Sequence, residues 1–508
     1  MQSDVPVPVV PPGLPGAKAL AHFSTGMAAI GRGSKLEAAR HFHQALLLQP
    51  DYFDALFNLA LALQELKQLK EACVCYEQAV RLQPGHAPAW NNLGVALKQL
   101  GQWQAAVSAH REAVRLQPGD ADFHRNLANS LRAGDRAEEA IGILHQGLRL
   151  APQSAMLWHT LGNAWREAGR PDEAEAAFRQ ALAVDRPLVE SHWDLAFALL
   201  LQGKFEEGWN EYEWRWNRPD YPARQFEQPA WQGEALQGRR LLVHAEQGAG
   251  DTIQFARYLP LLTERGARVT LECPGPLVRL LQTLDGLDQV LARGDTFPHF
   301  DFQCPLLSLP RLFRTGSDSI PARIPYLRPS PGGPWLPMEN ATGPQPLRVG
   351  LAWAGNPAHE NDARRSIPKV LMQKRLEGAE AVFYSLQPRG ASNSGKETGT
   401  ADWVVDLAHL IGDYADTAAL MEQLDLVISV DTSVAHLAGA LGRPVWLLLP
   451  YAPDWRWLTR RCDTPWYPTM HIFRQPSPGD WDFVLKDVRD RLGAWQVEKM
   501  NLARQIPA

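Results

Sequence analysis

Small and apolar residues recur in one fixed phase through the N-terminal part of the chain. Leu is followed by Gly or Ala at Leu59-Ala60, Leu93-Gly94, Leu127-Ala128 and Leu161-Gly162. Twelve positions after each Gly or Ala stands Ala72, Ala106, Ala140 or Ala174. Four further on stands a bulkier residue: Tyr76, His110, Leu144 or Phe178. Pro50, Pro84, Pro118 and Pro152 close the units at intervals of 34 residues. The pattern predicts pairs of helices: the small residues allow close approach, and the proline stops the second helix. Six units fit in phase. The first, 17–50 with Ala38, Phe42 and Ala45, and the last, 189–222 with Leu195, Ala196 and Tyr212, are weaker. Stacked units of this kind form an α-solenoid.

After the repeats the grammar changes. Residues 214–238 break helical periodicity with Trp214, Trp216, Pro219, Pro222, Pro229, Trp231 and Gly233, and read as an aromatic docking linker. Short β-branched runs then alternate with helical stretches. Strands are expected at 241–245, 267–273, 289–292 and 300–306, and helices at 252–265 and 277–283. Proline and glycine crowd 321–346. A second series of strands is expected at 348–353, 381–386, 403–406, 425–429 and 444–449, and a final amphipathic helix at 481–497. This is an α/β pattern of two doubly wound domains, a common plan for enzymes that use nucleotide-activated substrates. The expected boundaries are a disordered proline-rich lead-in (1–16), repeats (17–222), a docking linker (223–238), two α/β domains (239–335 and 347–480) and a terminal helix (481–500).

The 34-residue phase resembles the tetratricopeptide repeat, whose arrays bind peptides or proteins. Composition narrows the remaining classes. The 508 residues have a net charge of -5, which argues against a nucleic-acid partner. The five cysteines are scattered and odd in number, as expected of reduced thiols. Cys73 and Cys75 are two apart on a helix and point to different faces, so no metal site is expected there. The first sixteen residues fit neither a signal peptide nor a spanning helix. A soluble, cytoplasmic location is expected.

The densest chemical string runs from Asp425 to Trp446. A buried strand leads into Asp431-Thr432-Ser433, followed by a helix that carries His436. Free N–H groups and the positive dipole end of a helix suit a diphosphate. The competing reading is that one of these side chains caps the helix. The whole string resembles the nucleotide-sugar half-site of the bacterial heptosyltransferases, which are inverting glycosyltransferases of the two-domain GT-B fold.

A second string, His244-Ala-Glu246-Gln247-Gly248-Ala249-Gly250-Asp251-Thr252, lies at the end of the first strand of the α/β region. Heptosyltransferases carry a Gly-Asp at this turn. The resemblance makes Asp251 the base that deprotonates the acceptor and puts Gly248 and Gly250 on the acceptor side. The alternative is a glycine turn with an acid complementing the helix dipole. His244, inside a strand, is expected to be structural.

A third string, from Gly350 to Ile367, holds Gly355, Asn356, Arg364, Arg365 and Ser366. Two arginines and small polar groups could hold a leaving diphosphate without metal. Heptosyltransferases use hydroxyl groups and a lysine in this region, so the nucleotide stays open. A solvated charged loop is the alternative. Gln387 ends the next expected strand, where GT-B enzymes contact the base or ribose.

Repeats followed by a transferase is also the order of the O-GlcNAc transferases. Asn58, Asn92, Asn126, Thr160 and Asp194 precede the Leu-Gly/Ala pairs. In that family an asparagine ladder at this position grips peptide backbone, and an amide both donates and accepts. The present chain has fewer repeats, and UDP-N-acetylglucosamine is not carried over as donor. The expectation is an inverting, metal-independent, cofactor-free glycosyltransferase with a nucleotide-sugar donor and a protein acceptor, possible as an oligomer. The alternatives are an inactive repeat scaffold, or transfer to lipid or oligosaccharide. For lipid, Trp455, Arg456, Trp457, Trp466 and Tyr467 could form a membrane-facing patch or wall the acceptor cleft.

Overall fold

The computed structural model describes residues 16–221, 224–337, 346–359, 361–387 and 403–505. Residues 1–15 of the expected disordered lead-in and part of the 321–346 linker lie outside them. The chain forms two compact units, Met1–Ser191 and His192–Ala508.

The first unit is a stack of antiparallel helix pairs. They are Ala17–Gly31 with Lys35–Leu48, Phe53–Glu65 with Leu69–Leu82, Ala87–Gln99 with Trp103–Leu116, Ala121–Ala133 with Ala137–Leu150, and Ala155–Glu167 with Pro171–Val184. The sequence phase has a steric basis. A Cβ at Gly94 would lie 2.6 Å from the His110 ring, and one at Gly162 2.5 Å from Phe178. The bulky residue of the second helix fills the space that the small residue of the first leaves. The turn inside each pair places one residue in the left-handed region: Gly33, Lys67, Gly101, Asp135 and Gly169. There the chain reverses so that a backbone N–H can satisfy a late helical carbonyl, as from Gln68 to Leu63 at 2.9 Å.

The second unit begins with an aromatic core. The helix Phe205–Tyr212 contributes Phe205, Trp209 and Tyr212, which join Trp231, Phe255, Trp455 and Trp466 in one buried cluster. Trp209 and Trp455 meet edge to face at 5.2 Å, and the Trp209 indole N–H donates to the Thr315 carbonyl at 3.2 Å. The sixth predicted helix pair therefore supplies core to the α/β unit.

Two parallel sheets follow. The first contains β1 (Arg240–His244), β2 (Arg268–Cys273), β3 (Leu287–Ala292) and β4 (Phe302–Pro305), in the order β3-β2-β1-β4. The second contains β5 (Leu347–Ala352), β6 (Ala381–Ser385), β7 (Val404–Asp406), β8 (Leu426–Val430), β9 (Val445–Leu449) and β10 (Met470–Arg474), in the order β10-β9-β8-β5-β6-β7. β8 and β9 are buried throughout, which explains their unbroken apolar sequence. β10 was not expected from sequence. The predicted helix 252–265 is divided into Ala249–Phe255, a 3-10 turn Ala256–Tyr258 and Leu259–Glu264. Pro260 in the first turn of the last piece has no N–H to continue the ladder. The terminal helix Trp481–Gln505 lays Trp481, Val484, Leu485, Val488 and Leu492 on the second sheet.

The fold class is thus the expected one, an α-solenoid followed by a parallel α/β unit. Strand order reverses between β1 and β4 in the first sheet and between β5 and β8 in the second. Such switch points leave a crevice at the carboxyl ends of the strands, where ligands bind. Among the described residues, no helix is long and apolar enough to cross a membrane.

Candidate functional site

The two aspartate-bearing turns meet. One opens the helix Ala249–Phe255 after β1; the other opens Ser433–Ala440 after β8. A Cβ on Gly250 would lie 3.0 Å from His436 Cδ2 and 3.5 Å from the Ser433 Cα. Glycine at 250 is therefore what lets the two helix starts approach. His436 is buried behind them, bonded through Nδ1 to the Tyr467 hydroxyl at 3.0 Å and stacked near Trp457. Burial pushes its pKa well down, so it stays a neutral packing residue rather than a charge for the donor.

Among the described residues, no side-chain oxygen caps Ser433–Ala440. Thr432 Oγ1 instead lies 3.2 Å from Ser429 Oγ, and Ser433 Oγ 2.8 Å from the Tyr414 hydroxyl. The capping alternative raised by the sequence is not what these residues do. The opposite turn differs. Asp251 Oδ2 accepts the Gly248 N–H at 3.0 Å, so this aspartate caps its own helix.

Asp251 has a second partner that sequence reasoning did not assign. Its Oδ1 accepts from Arg456 Nη2. Arg456 Nη1 also meets Asp454 Oδ1 at 2.8 Å, and its Nε meets Gln254 Oε1 at 2.6 Å. One buried guanidinium from the second half thus binds a carboxylate and an amide of the first. Burial pushes the Asp251 pKa up, and Arg456 pulls against it; the net direction is upward.

Asp431 stands close to this group. Burial first, and the Asp454 carboxylate next, push its pKa up to about 6. An acid whose folded pKa is raised binds more protons folded than unfolded. Stability from this group is therefore full below about pH 4 and declines as pH rises toward 6. Asp431→Asn should gain stability over the wild type by about 2–3 kcal/mol more at pH 7 than at pH 4. Urea titrations at the two pH values measure this, and an equal difference at both would refute it.

The third string closes over the same switch point. Arg365 Nη1 donates to the Asp431 carbonyl at 3.1 Å, and its Nε lies 3.3 Å from Asp362 Oδ1. Ser366 Oγ accepts the Gly355 N–H at 3.0 Å and donates to Asp362 Oδ1. Gln387 is buried, its Oε1 accepting the Ala354 N–H at 3.2 Å and its Nε2 without a hydrogen-bond partner among the described residues. Arg365, Ser366 and Gln387 are thereby tied to the β5–β8 crevice. Asn356 is exposed and caps its own loop at Ala358 N, and Arg364 is half-buried.

Other candidates fall elsewhere. His244 is buried and faces Gln303 Oε1 at 3.0 Å. Trp455, Arg456, Trp457, Trp466 and Tyr467 are all buried. They form no membrane-facing patch; they pack the core that carries Arg456. Among the described residues, no group of three or more His, Cys, Asp or Glu is placed to hold a metal ion. In the repeats, Asn58, Asn92 and Asn126 occupy equivalent, half-buried positions. Asn126 Nδ2 donates to Asn91 Oδ1 at 2.8 Å, and Asn91 Nδ2 to Asn92 Oδ1 at 3.2 Å. Asn58 turns to its own helix, at the Asp54 carbonyl. Asn91 was not singled out from sequence, because its position one residue earlier carries no repeat signal.

Family models match the repeats and a segment of the second α/β domain. Tetratricopeptide repeat models match residues 23–73, 51–118, 97–163 and 155–187. The glycosyltransferase family 9 (heptosyltransferase) model matches residues 412–473, a segment that includes β8, the Asp431 turn and β9. Protein FlbA of Caulobacter vibrioides is 29% identical over 313 residues, covering 56% of this chain and 52% of that protein. The chain spans about half the length of this curated relative. Among solved structures, MamA of Desulfovibrio magneticus RS-1 is 21% identical with a TM-score of 0.33, covering 34% of this chain and 98% of that one. A thermophilic tetratricopeptide protein of Thermus thermophilus is 22% identical with a TM-score of 0.30, covering 36% and 99%.

Proposed function

We propose that the second unit is an inverting, metal-independent glycosyltransferase of GT-B type, and that the repeats recruit its protein acceptor. The observation that carries this reading is the meeting of the Gly250-Asp251 and Asp431-Ser433 turns. It brings a carboxylate of raised pKa to a helix start whose side chains do not cap it. A diphosphate at that helix start would gain charge as the sugar bond breaks, so fixed N–H donors there act most strongly in the transition state. Arg365 stands by to match the same charge. Asp251 would take the proton of the attacking acceptor hydroxyl. Burial of the tryptophans near 455–467 removes the feature that favoured a lipid acceptor.

The direct test is a thermal-shift screen of the full chain against UDP-, GDP-, ADP-, TDP- and CMP-sugars. A donor at 100 times its Kd adds about 2.7 kcal/mol to the fold, a shift of several degrees in the unit that binds it. Transfer should continue in EDTA. No shift with any donor, or activity lost in EDTA and restored by Mn²⁺, would sink this assignment.

The repeat arm makes its own prediction. Each lost amide pair should cost about 1 kcal/mol, so replacing Asn58, Asn92 and Asn126 together by Ala should weaken acceptor binding some hundredfold. Donor affinity should not change. Glycosylation of the protein acceptor at the wild-type rate by this variant would remove the ladder from recognition.

A further inference from the structure

The switch point of the first sheet holds a cavity that no donor-turn residue lines. Its volume is about 240 Å³, and its walls include His244 of β1, Gln303 of β4, Ser308, Arg311, Glu213 and Trp231. It therefore lies between the carboxyl ends of β1 and β4, where an open parallel sheet presents a ligand crevice. The aromatic linker completes it: Ala230 bridges to Gln303, and the Trp231 N–H donates to the Gln303 carbonyl at 2.8 Å.

The polar groups of this cavity are incompletely used. His244 is only 2% exposed, yet its Nδ1 has no hydrogen-bond partner among the described residues. Its Nε2 faces Gln303 Oε1, an acceptor, so the neutral ring carries its proton there and offers a lone pair at Nδ1. Burial keeps the ring neutral by pushing its pKa down to about 4. Arg311 Nε is a buried donor that makes no hydrogen bond among the described residues; its nearest charge partner, Glu213 Oε2, is 3.8 Å away, beyond hydrogen-bond distance. A buried polar atom left unpaired costs free energy, so such atoms point to a partner that comes and goes. The charges, in contrast, are already matched. Glu213 Oε1 accepts from Arg215 at 2.7 Å and Ser308 donates to it at 3.0 Å, while Arg224 pairs with Glu272.

We propose that this cavity binds a neutral, polyhydroxylated ligand the size of a single sugar ring, at a site separate from the donor turn. A hydroxyl both donates and accepts, which is what His244 Nδ1 and Arg311 Nε together require. Compensated charges disfavour an ionic ligand. Trp216 and Leu312, both partly exposed, add apolar wall that suits the C–H face of a sugar ring. The site goes beyond the transferase reading, which assigns no ligand here.

The test is binding of free monosaccharides to the full chain, by saturation-transfer NMR and calorimetry. The probes are methyl glucoside, methyl galactoside and N-acetylglucosamine at millimolar concentration, with glucuronate as the charged control. At least one neutral sugar should bind. Its affinity should fall tenfold or more in His244→Phe and in Arg311→Leu, and stay the same in Thr432→Val. Arg311 is partly exposed, so that variant decides the matter if His244→Phe does not fold. No neutral sugar binding, preference for glucuronate, or binding lost in Thr432→Val but kept in Arg311→Leu would overturn the proposal. The assay contains neither donor nor acceptor, so its outcome is independent of whether the chain transfers a sugar.

Discussion

Replacing Asp251 by Asn should lower transfer by roughly 100-fold or more, the usual contribution of a positioned general base. The structure refines what else that variant does. Both partners of the carboxylate are donors: the Gly248 N–H on Oδ2 and the Arg456 guanidinium on Oδ1. An asparagine has one oxygen and one NH₂, so one of the two contacts must become donor against donor. The variant should therefore also lose about 1–3 kcal/mol of stability. A rate loss alone would not separate chemistry from structure, but a pH profile does. The wild type should lose activity below the Asp251 pKa, which burial raises from its ordinary value. In Asp251→Asn that acidic limb should vanish from the residual rate, while donor affinity holds. Near-normal turnover in the folded variant, or an unchanged acidic limb, would remove Asp251 from the mechanism.

Much of this architecture was legible because it rests on local rules. The repeat phase reports a contact within each helix pair, Gly94 against His110 or Gly162 against Phe178, so period alone exposes it. Strands such as β8 and β9 are buried on both faces and read as apolar runs. β10 was missed because His471 and Arg474 interrupt its apolar positions. The turns bearing Asp251 and Asp431 were legible as motifs, but their meeting was not. It depends on Gly250 lying against Ser433 and His436, far away in sequence.

Whether the tryptophan-rich segment around Arg456 forms a surface patch or an inner wall was not legible, for the same physical reason. Two indoles flanking an arginine look alike whether they lie on a surface or in a core. Burial is decided by distant partners: Trp209 against Trp455, and Tyr467 against Gly439. The fully buried aromatic cluster then makes the arginine costly to leave unpaired, and its three side-chain partners follow from that cost.

Arg456→Met should accordingly destabilise the second unit by about 3–5 kcal/mol, the largest stability effect expected of any single change here. The methionine fills similar apolar volume and keeps contact with Trp455, over which the guanidinium now lies at 4.3 Å. What it cannot supply is charge. Asp251 and Asp454 would be left in partly buried surroundings without their shared cation, and Gln254 Oε1 would lose its donor. The Asp251 pKa should rise further, since the group that pulls it down is gone. The acidic limb of the pH–rate profile should then move to higher pH, a change that simple loosening of the fold would not produce. Arg456→Lys keeps the charge but not the fork that reaches three partners, so it should recover part of the stability and shift the limb back. A double-mutant cycle with Asp251→Asn isolates the pair: the coupling should exceed about 1 kcal/mol, as for residues in one hydrogen-bonded network. Additive losses in that cycle, with the pH profile unmoved in Arg456→Met, would show that the arginine braces the aromatic core and does not position the carboxylate.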